Sequence, residues 1–223
     1  MIKAVISGYG RMGHMVEEAL RRRGIECAGA SEDIAAFDKE LAAQCVCIDF
    51  TTPDAFRANY RTIAENFKAA VIGTTGWYDI KDEVLGYFEK CGTPVIWSSN
   101  YSIGVNVLFA AVRKASELLA GEGYDAHVHE IHQIHKLDAP SGTAKSLAAI
   151  VAEAGFDAPE ITSERTGEVP GIHTVEFTGR CDRLSFTHEA FSREGFAEGA
   201  VAAALLTEGL EGAAEFKTLL FGK

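Results

Sequence analysis

Four histidines crowd one short segment of the sequence, DAHVHEIHQIHKLDAPSGTA, at residues 125–144. Lys136 follows the last of them directly, and a Ser-Gly-Thr turn begins at Ser141. Histidine titrates near neutral pH and ligates metals, whereas lysine holds a positive charge against an anion. Three interpretations therefore compete: a metal site, an acid/base site, or strand histidines without a chemical role. The histidines are His127, His129, His132 and His135.

A metal site finds little support in the spacing of these residues. The helical motif HExxH needs histidines four residues apart, whereas His129 and His132 are three apart in a segment patterned as a strand. His127 and His129 would share one strand face, but no cysteine or acid with clear ligand spacing completes a set. We predict no bound metal and interpret His127 and His129 as structural; His135 has no assigned role.

An acid/base site fits the segment better, because complementary groups follow His132. The strand pattern over residues 124–131 ends before Lys136, and Ser141 is a good N-cap for a helix over residues 142–154. Free backbone N–H groups at a helix start bind carboxylates. A proton donor, an ammonium group and a helix start together suit a small acid that is protonated after a hydride arrives. The segment thus favours a nicotinamide-dependent reductase.

A second chemical signature lies near the N-terminus, in the stretch GYGRMG at residues 8–13. It fits GxGxxG between a predicted strand, residues 2–7, and a predicted helix. Gly8 would form the turn, Gly10 would let a pyrophosphate approach, and Gly13 would let the helix pack on the strand. This context favours a dinucleotide site with its phosphates at the helix start, and a tight turn without a ligand is the alternative.

Acidic residues follow the second predicted strand, residues 25–30. Glu32 lies 24 residues after Gly8, near the spacing of the carboxylate that binds the adenosine ribose. Asp33 is an alternative for this role. Because neither Arg nor Lys is adjacent, two acids would repel a 2′-phosphate, and we predict that NADH is preferred to NADPH.

Strand and helix patterns alternate along the first hundred residues, and the predicted strands run into loops of small polar residues, among them 73–76 (GTTG) and 99–102 (SNYS). This alternation predicts an α/β fold, with a Rossmann-type doubly wound parallel sheet over residues 1–102 and its ligand-binding edge at these loops. Residues 103–191 mix helices with strands that alternate strongly near their end. They predict an α+β domain with a mixed sheet.

Composition narrows the function classes further. The 223 residues carry a formal net charge of −11, which argues against nucleic acid or an anionic membrane as a partner. No apolar run approaches the roughly 20 residues of a membrane span. Five cysteines without a CxxC motif indicate reduced, mostly buried thiols. We therefore expect a cytoplasmic protein.

Residues 130–144 resemble the signature of the dihydrodipicolinate reductase (4-hydroxy-tetrahydrodipicolinate reductase) family, which is close to E-x-H-H-x-x-K-x-D-A-P-S-G-T. Further stretches resemble other motifs of this family, in the same order along the whole chain. They are residues 10–13 (GRMG), 49–53 (DFT-x-P), 73–76 (GTTG), 100–106 (N-[FY]-S-x-G-V-N) and 165–174 (R-x-G-x-x-x-G-x-H-T). The resemblance is long and specific.

This resemblance implies the reduction of 4-hydroxy-tetrahydrodipicolinate to tetrahydrodipicolinate with NADH or NADPH, in the diaminopimelate route to lysine. His132 would be the general acid that protonates the ring carbon, and Lys136 the cation that pairs with the small dicarboxylate substrate. Other substrate-binding residues would be Gln133, Ser141, Gly142 and Thr143. Residues that hold the cofactor would be Gly8, Gly10, Arg11, Met12, Gly13, Glu32, Gly73, Thr75, Ser99, Asn100 and Tyr101.

The resemblance also implies an organisation of the chain. A dinucleotide-binding domain at residues 1–102 would be rejoined by the C-terminal segment 192–223. Residues 103–191 would bind substrate and build a homotetramer. Three departures matter. Gln133 replaces the second histidine of the family's pair, and the glycine loop is one residue shorter than the usual G-x-x-G-x-M-G. The arginine that often follows the ribose-binding acid is absent, which agrees with the NADH prediction.

Two other functions stay open. The chain could be a related Rossmann reductase of another small carboxylic acid, or a sensor that binds NAD(H) without turnover. His132, Lys136 and the Ser-Gly-Thr turn argue against both, and most strongly against the sensor, since a sensor needs no proton donor.

Overall fold

A computed structural model describes residues 2–222 of the chain. The chain forms two compact units. Unit 1 comprises Met1–Ser102 and Glu194–Lys223, and unit 2 comprises Ile103–Arg193. Unit 2 is thus one continuous segment, whereas unit 1 is assembled from both ends of the sequence. Between residues 2 and 222, no helix combines the length and the apolar character that crossing a bilayer requires.

Strands and helices alternate through most of the chain. In order, they are β1 (Lys3–Ser7), α1 (Arg11–Arg22), β2 (Glu26–Ser31), α2 (Lys39–Ala42), β3 (Cys45–Asp49), α3 (Pro53–Asn66), β4 (Ala69–Ile72), α4 (Lys81–Cys91), β5 (Val95–Trp97), α5 (Ile103–Leu119), β6 (Asp125–His132), α6 (Gly142–Glu153), β7 (Glu160–Arg165), β8 (Gly171–Thr178), β9 (Arg183–Ala190), α7 (Glu194–Leu206), β10 (Ala213–Glu215) and α8 (Phe216–Phe221). Short 3₁₀ turns lie at Ile34–Ala36 and Tyr78–Ile80.

The six strands of unit 1 form one parallel sheet in the order β10-β5-β4-β3-β1-β2. Apolar side chains of α1 and α7 cover one face of the sheet, and those of α3 and α4 cover the other. Strands buried on both faces require near-continuous apolar sequence, which β3 (CVCID) and β4 (AAVI) supply. The predicted doubly wound, Rossmann-type sheet is confirmed.

Unit 2 contains a four-stranded sheet in the order β7-β6-β8-β9. β6 runs parallel to β7, whereas β8 is antiparallel to both of its neighbours, β6 and β9. The predicted mixed sheet is therefore confirmed. Helices α5 and α6 cover its inner face, where Val112 and Leu147 pack in one core with Val128 and Phe177.

The structure adds elements that the sequence pattern does not predict, namely β7, β10 and α8. Strand β7 (EITSER) has one apolar residue, Ile161, because it lies at the edge of its sheet. Strand β10 has only three residues and depends on β5 for pairing. Neither segment has a periodicity of its own, so tertiary pairing decides its conformation.

Candidate active site

Strand β6 separates the four histidines into different environments. His127 Nε2 and His129 Nδ1 lie 2.9 and 2.7 Å from the hydroxyl of Thr162, on the neighbouring strand β7. His132 is buried on the opposite face of β6, the inner face, with 7% of its surface exposed. His135 follows in an exposed loop, 3.5 Å from Glu168.

Glu130 lies two residues before His132 on the inner face, and no part of its surface is exposed. Its Oε1 atom accepts hydrogen bonds from the Ser141 backbone N–H at 3.0 Å and from the Ser163 hydroxyl at 2.8 Å. The Arg165 guanidinium donates a third at 3.0 Å. Burial alone would raise the pKa of this carboxyl, but the hydrogen bonds outweigh burial and lower the pKa to about 2. Glu130 is therefore a carboxylate at neutral pH.

Two imidazole rings face this carboxylate. The distance from Glu130 Oε2 is 3.4 Å to His132 Nδ1 and 3.7 Å to His173 Nε2. The two rings meet edge to face, with centroids 4.9 Å apart. Burial lowers the pKa of His132, while the Glu130 carboxylate acts in the opposite direction. Burial also lowers the pKa of His173, to about 4, so this ring is neutral at physiological pH.

The loop after β6 carries the second predicted catalytic residue. Lys136 is partly exposed, and its Nζ lies 2.7 Å from Asp138 Oδ1. The Arg165 guanidinium donates to the backbone carbonyl of Asp138 at 2.6 Å, and so it fixes the loop to β7. The ammonium group lowers the pKa of Asp138. A substrate carboxylate could replace Asp138 as the partner of Lys136.

Helix α6 begins where this loop returns to the sheet. The side chain of Ser141, the N-cap, accepts from the Ala144 N–H at 3.2 Å and lies 3.1 Å from His173 Nε2. Gly142 is exposed, and a Cβ atom built there would meet nothing within 4 Å. The first N–H groups of a helix have no acceptor within it. The start of α6 thus presents exposed backbone at Gly142, next to Ser141, whose N–H donates to Glu130.

Donor atoms of Glu130, His132 and His173 all lie within 4.8 Å of one another, a spacing that a metal ion could use. The sequence pattern drew attention to His127 and His129 instead, because His173 is distant along the chain. That the protein binds no metal stays a prediction.

In unit 1, the glycine loop joins β1 to α1. A Cβ atom on Gly8 would lie 2.5 Å from the Phe50 carbonyl oxygen, and one on Gly13 would collide with the Gly8 carbonyl. These glycines allow close packing of the turn. Gly10 is the N-cap of α1, and a Cβ atom built there would meet nothing within 4 Å. A ligand could therefore approach the backbone at the start of α1. This cradle fits a pyrophosphate group.

The two acids after β2 differ in what their side chains do. Asp33 Oδ1 accepts from the Ala35 N–H at 2.9 Å and caps the 3₁₀ turn that follows. Glu32 is exposed at the end of β2, next to the glycine loop, since the Gly8 N–H donates to the Ser31 carbonyl at 2.9 Å. Glu32 is the acid available to a ribose.

Asp49, at the end of β3, connects three of the strand-end loops. Its buried carboxylate accepts from Ser7 Oγ at 2.8 Å and from Thr74 Oγ1 at 2.5 Å. Thr51 Oγ1 lies 3.1 Å from the same carboxylate. Burial raises the pKa of Asp49, and these hydroxyl groups act against that rise. The predicted Gly73–Thr75 loop is thereby held to the glycine loop and to the segment after β3.

The last predicted cofactor segment follows β5. Ser99 is exposed, whereas the Tyr101 side chain is 2% exposed and its hydroxyl lies 3.0 Å from the carbonyl oxygens of Ile72 and Ile96. Tyr101 therefore anchors the segment to the sheet, and contact with a cofactor would come from its backbone. A Cβ atom on Gly73 would collide with the Phe50 ring. Among the other predicted cofactor residues, Arg11 is exposed, and Met12 and Asn100 are partly exposed.

Sequence reasoning did not select Glu130, Arg165 or His173 as functional residues. Glu130 had a usable signal, because it lies two positions before His132 and a strand places such residues on one face. His173 and Arg165 have no signal of that kind: the resemblance of residues 165–174 to a family motif includes both, but the strand register brings them to Glu130.

Comparison with known sequences gives a consistent result along the chain. The family profile described as "Dihydrodipicolinate reductase, N-terminus" matches residues 2–101, and "Dihydrodipicolinate reductase, C-terminus" matches residues 104–220. A protein of Akkermansia muciniphila named 4-hydroxy-tetrahydrodipicolinate reductase is 37% identical, over 95% of this chain and 94% of its own. One of Methanopyrus kandleri with the same name is 40% identical, over 79% and 71%.

A solved structure supports the same architecture. "Dipicolinate bound Dihydrodipicolinate reductase from Paenisporosarcina sp. TG-14" superimposes with a TM-score of 0.80, over 96% of this chain and 97% of the other. Its sequence identity is 20%, so the match concerns the fold. An engineered D-amino acid dehydrogenase bound to NADP⁺ superimposes less closely, with a TM-score of 0.57.

Proposed function

The chain belongs to the dihydrodipicolinate reductase family, and from this premise we propose how its residues carry out the reaction. It is an NAD(P)H-dependent oxidoreductase that reduces 4-hydroxy-tetrahydrodipicolinate to tetrahydrodipicolinate, in the diaminopimelate route to lysine. The observation that carries the assignment is His132, buried beside the Glu130 carboxylate and close to the start of α6. Unit 1 would hold the cofactor and unit 2 the substrate.

His132 is the proton donor of this proposal. When bound, the nicotinamide would supply a hydride to the conjugated cyclic imine, which forms when the 4-hydroxy substrate loses water. His132 then gives its proton to the ring carbon and becomes a neutral imidazole. A histidine suits this step because imidazole ordinarily titrates near neutral pH, and in His132 the Glu130 carboxylate acts against the lowering of the pKa by burial.

Lys136 and the start of α6 would bind the two carboxylates of the substrate. Lys136 Nζ already contacts one carboxylate, that of Asp138 at 2.7 Å. Backbone N–H groups at Gly142 and Thr143 would receive the other, aided by the helix dipole. Gln133, half-buried at the end of β6, would contact the substrate where related enzymes have a histidine.

The cofactor would bind along the loops of unit 1, with its pyrophosphate at the glycine loop and its adenosine ribose at Glu32. The exposed Glu32 carboxylate would accept hydrogen bonds from the ribose hydroxyls and repel a 2′-phosphate. NADH is therefore the preferred cofactor in this proposal. Measured kcat/KM values for NADH and NADPH test it, and a higher value for NADPH would contradict it.

The proposal also covers assembly and location. The outer face of the unit 2 sheet, which includes His127 and His129, would join four chains into a homotetramer. Light scattering on the purified protein tests this, with a monomer as the opposing result. We place the protein in the cytoplasm, where its five cysteines, all unpaired in the structure, stay reduced. Neither nucleic acid nor a membrane would be a partner.

A coupled assay tests the reaction itself. The upstream synthase generates the unstable substrate, and the fall in NADH absorbance reports its reduction. The two alternatives, a reductase of another small acid and a non-catalytic NAD(H) sensor, both predict no NADH oxidation here. The sensor would still bind NADH in a direct titration, and the other reductase would oxidise it with a different acid.

A further inference from the structure

The Glu130 carboxylate is held so that its two oxygen atoms have different surroundings. Oε1 accepts three hydrogen bonds, from Ser141, Ser163 and Arg165. Oε2 is buried and, among the residues that the structure describes, has no hydrogen-bond donor within bonding geometry. One oxygen therefore fixes the carboxylate in place, and the other remains for the imidazole rings beside it.

His132 is the ring that this second oxygen can serve. Its Nδ1 atom, 3.4 Å from Oε2, is buried and equally without a partner within residues 2–222. His173 Nε2 is farther from Oε2, at 3.7 Å, and has a closer neighbour in the Ser141 hydroxyl at 3.1 Å. An ionised carboxylate only accepts hydrogen bonds, so the hydrogen would have to come from His132 Nδ1. A small movement of the ring toward Oε2 would form this Nδ1–H···Oε2 bond and give both atoms a partner.

The other nitrogen of His132 faces a position without a side chain. A Cβ atom on Gly171, the first residue of β8, would lie 3.0 Å from His132 Nε2 and 3.2 Å from Cδ2. The next residue with an inward side chain on β8 is His173. The absence of a side chain at Gly171 therefore keeps Nε2 uncrowded, whereas Nδ1 is buried.

We propose that Glu130 is a positioning residue that holds neutral His132 in the Nδ1–H form, while Gly171 keeps Nε2 open for proton delivery. This proposal depends on His132 being the proton donor, as assigned above. In the reactive step the Nε2–H bond of the imidazolium breaks and a C–H bond forms on the substrate ring. The ring remains as the Nδ1–H imidazole on Glu130 and takes a new proton from water before the next turnover.

Other charged groups around His132 bear on its protonation. Glu130 and Asp138 favour the imidazolium, whereas Lys136 and Arg165 disfavour it. The neutral His173 ring lies against it from β8. Because Glu130 is the closest carboxylate, its loss should destabilise the imidazolium more than the loss of any other neighbour.

Nitrogen NMR tests the proposal without requiring turnover. In ¹⁵N-labelled protein at a pH where the ring is neutral, the signals of His132, assigned by their loss in His132→Gln, should show protonated Nδ1 and unprotonated Nε2. Glu130→Gln should shift the ring toward the Nε2–H form, and the matched control Ser163→Ala, which keeps Oε2, should not. An Nε2–H ring in the unchanged protein, or an identical spectrum in Glu130→Gln, would overturn the proposal.

Kinetics supply a second test for the same inference. Glu130→Gln should lower kcat about 10- to 100-fold, part of what a general acid contributes, and move the basic limb of its pH profile to lower pH with little change in KM. Gly171→Ala, which fills the space at Nε2, should lower kcat with the pH limb unmoved. A Glu130→Gln profile with an unmoved limb contradicts the positioning role. If His132→Gln itself stays active, the acid assignment fails instead, and the NMR result still decides the role of Glu130.

Discussion

Among residues 2–222, each unit buries one carboxylate side chain, and the pKa values of the two are shifted in opposite directions. Asp49 in unit 1 is surrounded by neutral hydroxyl groups from Ser7, Thr51 and Thr74, and burial raises its pKa. Glu130 in unit 2 has an arginine and a backbone N–H as partners besides the Ser163 hydroxyl, and its pKa is lowered to about 2.

The two sets of partners have different consequences for the charge of each carboxylate. Hydroxyl groups around Asp49 tie strand ends together, which requires a hydrogen-bond acceptor but no fixed charge. Glu130 keeps its charge at every physiological pH, which suits the proton donor that we propose beside it. Burial alone therefore does not identify a functional acid, whereas the partners of the buried group do.

The largest effect is expected at His132, the proton donor that we propose beside Glu130. His132→Gln should lower kcat about 10²- to 10⁴-fold, since general acid catalysis is lost, with little change in thermal stability. His129→Gln on the opposite face of β6 is the matched control and should keep kcat near normal. Steady-state NADH oxidation measures kcat for both variants. A near-normal kcat in His132→Gln would contradict the idea that the buried carboxylate of unit 2, unlike that of unit 1, supports proton transfer.

A smaller effect is expected at Lys136. Lys136→Gln should lower kcat/KM about 10- to 100-fold, the value of a charged hydrogen bond to a substrate carboxylate. It should also weaken inhibition by dipicolinate. Lys114→Gln is the control. Lys114 also pairs with an acid, Glu117 at 3.3 Å, but this pair lies on the exposed side of α5. Equal kinetics in the two variants would exclude a role for Lys136 in substrate binding.

At Asp49 we expect a loss of stability, and not of proton transfer. Asp49→Ala leaves buried hydroxyl groups without their acceptor and should lower the free energy of unfolding by about 1–3 kcal/mol. It should raise KM for NADH and leave the pH profile of kcat in place. Asp79→Ala, which removes an exposed ion pair with Arg57, should lower the stability much less than Asp49→Ala does, because solvent screens exposed ion pairs. A shifted pH profile of kcat in Asp49→Ala would mean that Asp49, like Glu130, influences proton transfer.

Acidification should change the stability contributions of His173 in unit 2 and Asp49 in unit 1 in opposite directions. The pKa of His173 is lowered to about 4 by burial from an ordinary 6.5, so its contribution to stability is complete above pH 6.5 and is lost as the pH falls toward 4. The raised pKa of Asp49 means that its protonation on acidification favours the folded state. Between about pH 7 and 4, His173→Gln should therefore lose less Tm than the unchanged protein, and Asp49→Asn should lose more. Parallel Tm curves for all three proteins would contradict this.

The smallest effect is expected from metal removal. If Glu130, His132 and His173 serve proton transfer alone, dialysis against a chelator should leave kcat unchanged. Metal analysis of the purified protein is the accompanying measurement. A loss of activity that added zinc restores would show that the cluster in unit 2 binds a metal.

The sequence predicts the parallel sheet of unit 1 well, because buried parallel strands such as CVCID are apolar throughout and end in small polar residues. It predicts β6 and the start of α6 for similar local reasons, the period of two and the Ser141 cap. It does not predict β7, whose single apolar residue lies on an edge strand. Local signals suffice for elements with their own periodicity.

The environment of the site depends on register, which local patterns do not contain. Glu130 meets Ser163 on one side and His173 on the other only because β7 and β8 pair with β6 at those positions. A shift of one residue would turn His173 to the outer face. The sequence pattern points to His132 and Lys136, and the strand period offers a signal for Glu130, whereas only the register of β7 and β8 brings Arg165 and His173 to Glu130.

The chain order of the two units has a consequence for synthesis on the ribosome. Helix α7, near the C-terminus, supplies Ala197, Ala200 and Val201 to the same core as Val16 and Leu20 of α1. When residues 1–102 of unit 1 have been synthesised, they still lack the part of their core that α7 supplies. Unit 2 is synthesised next, as one continuous segment. Because domains fold as units during translation, the unit that begins first is completed last, and premature termination anywhere before α7 leaves apolar faces of α1 and the parallel sheet uncovered.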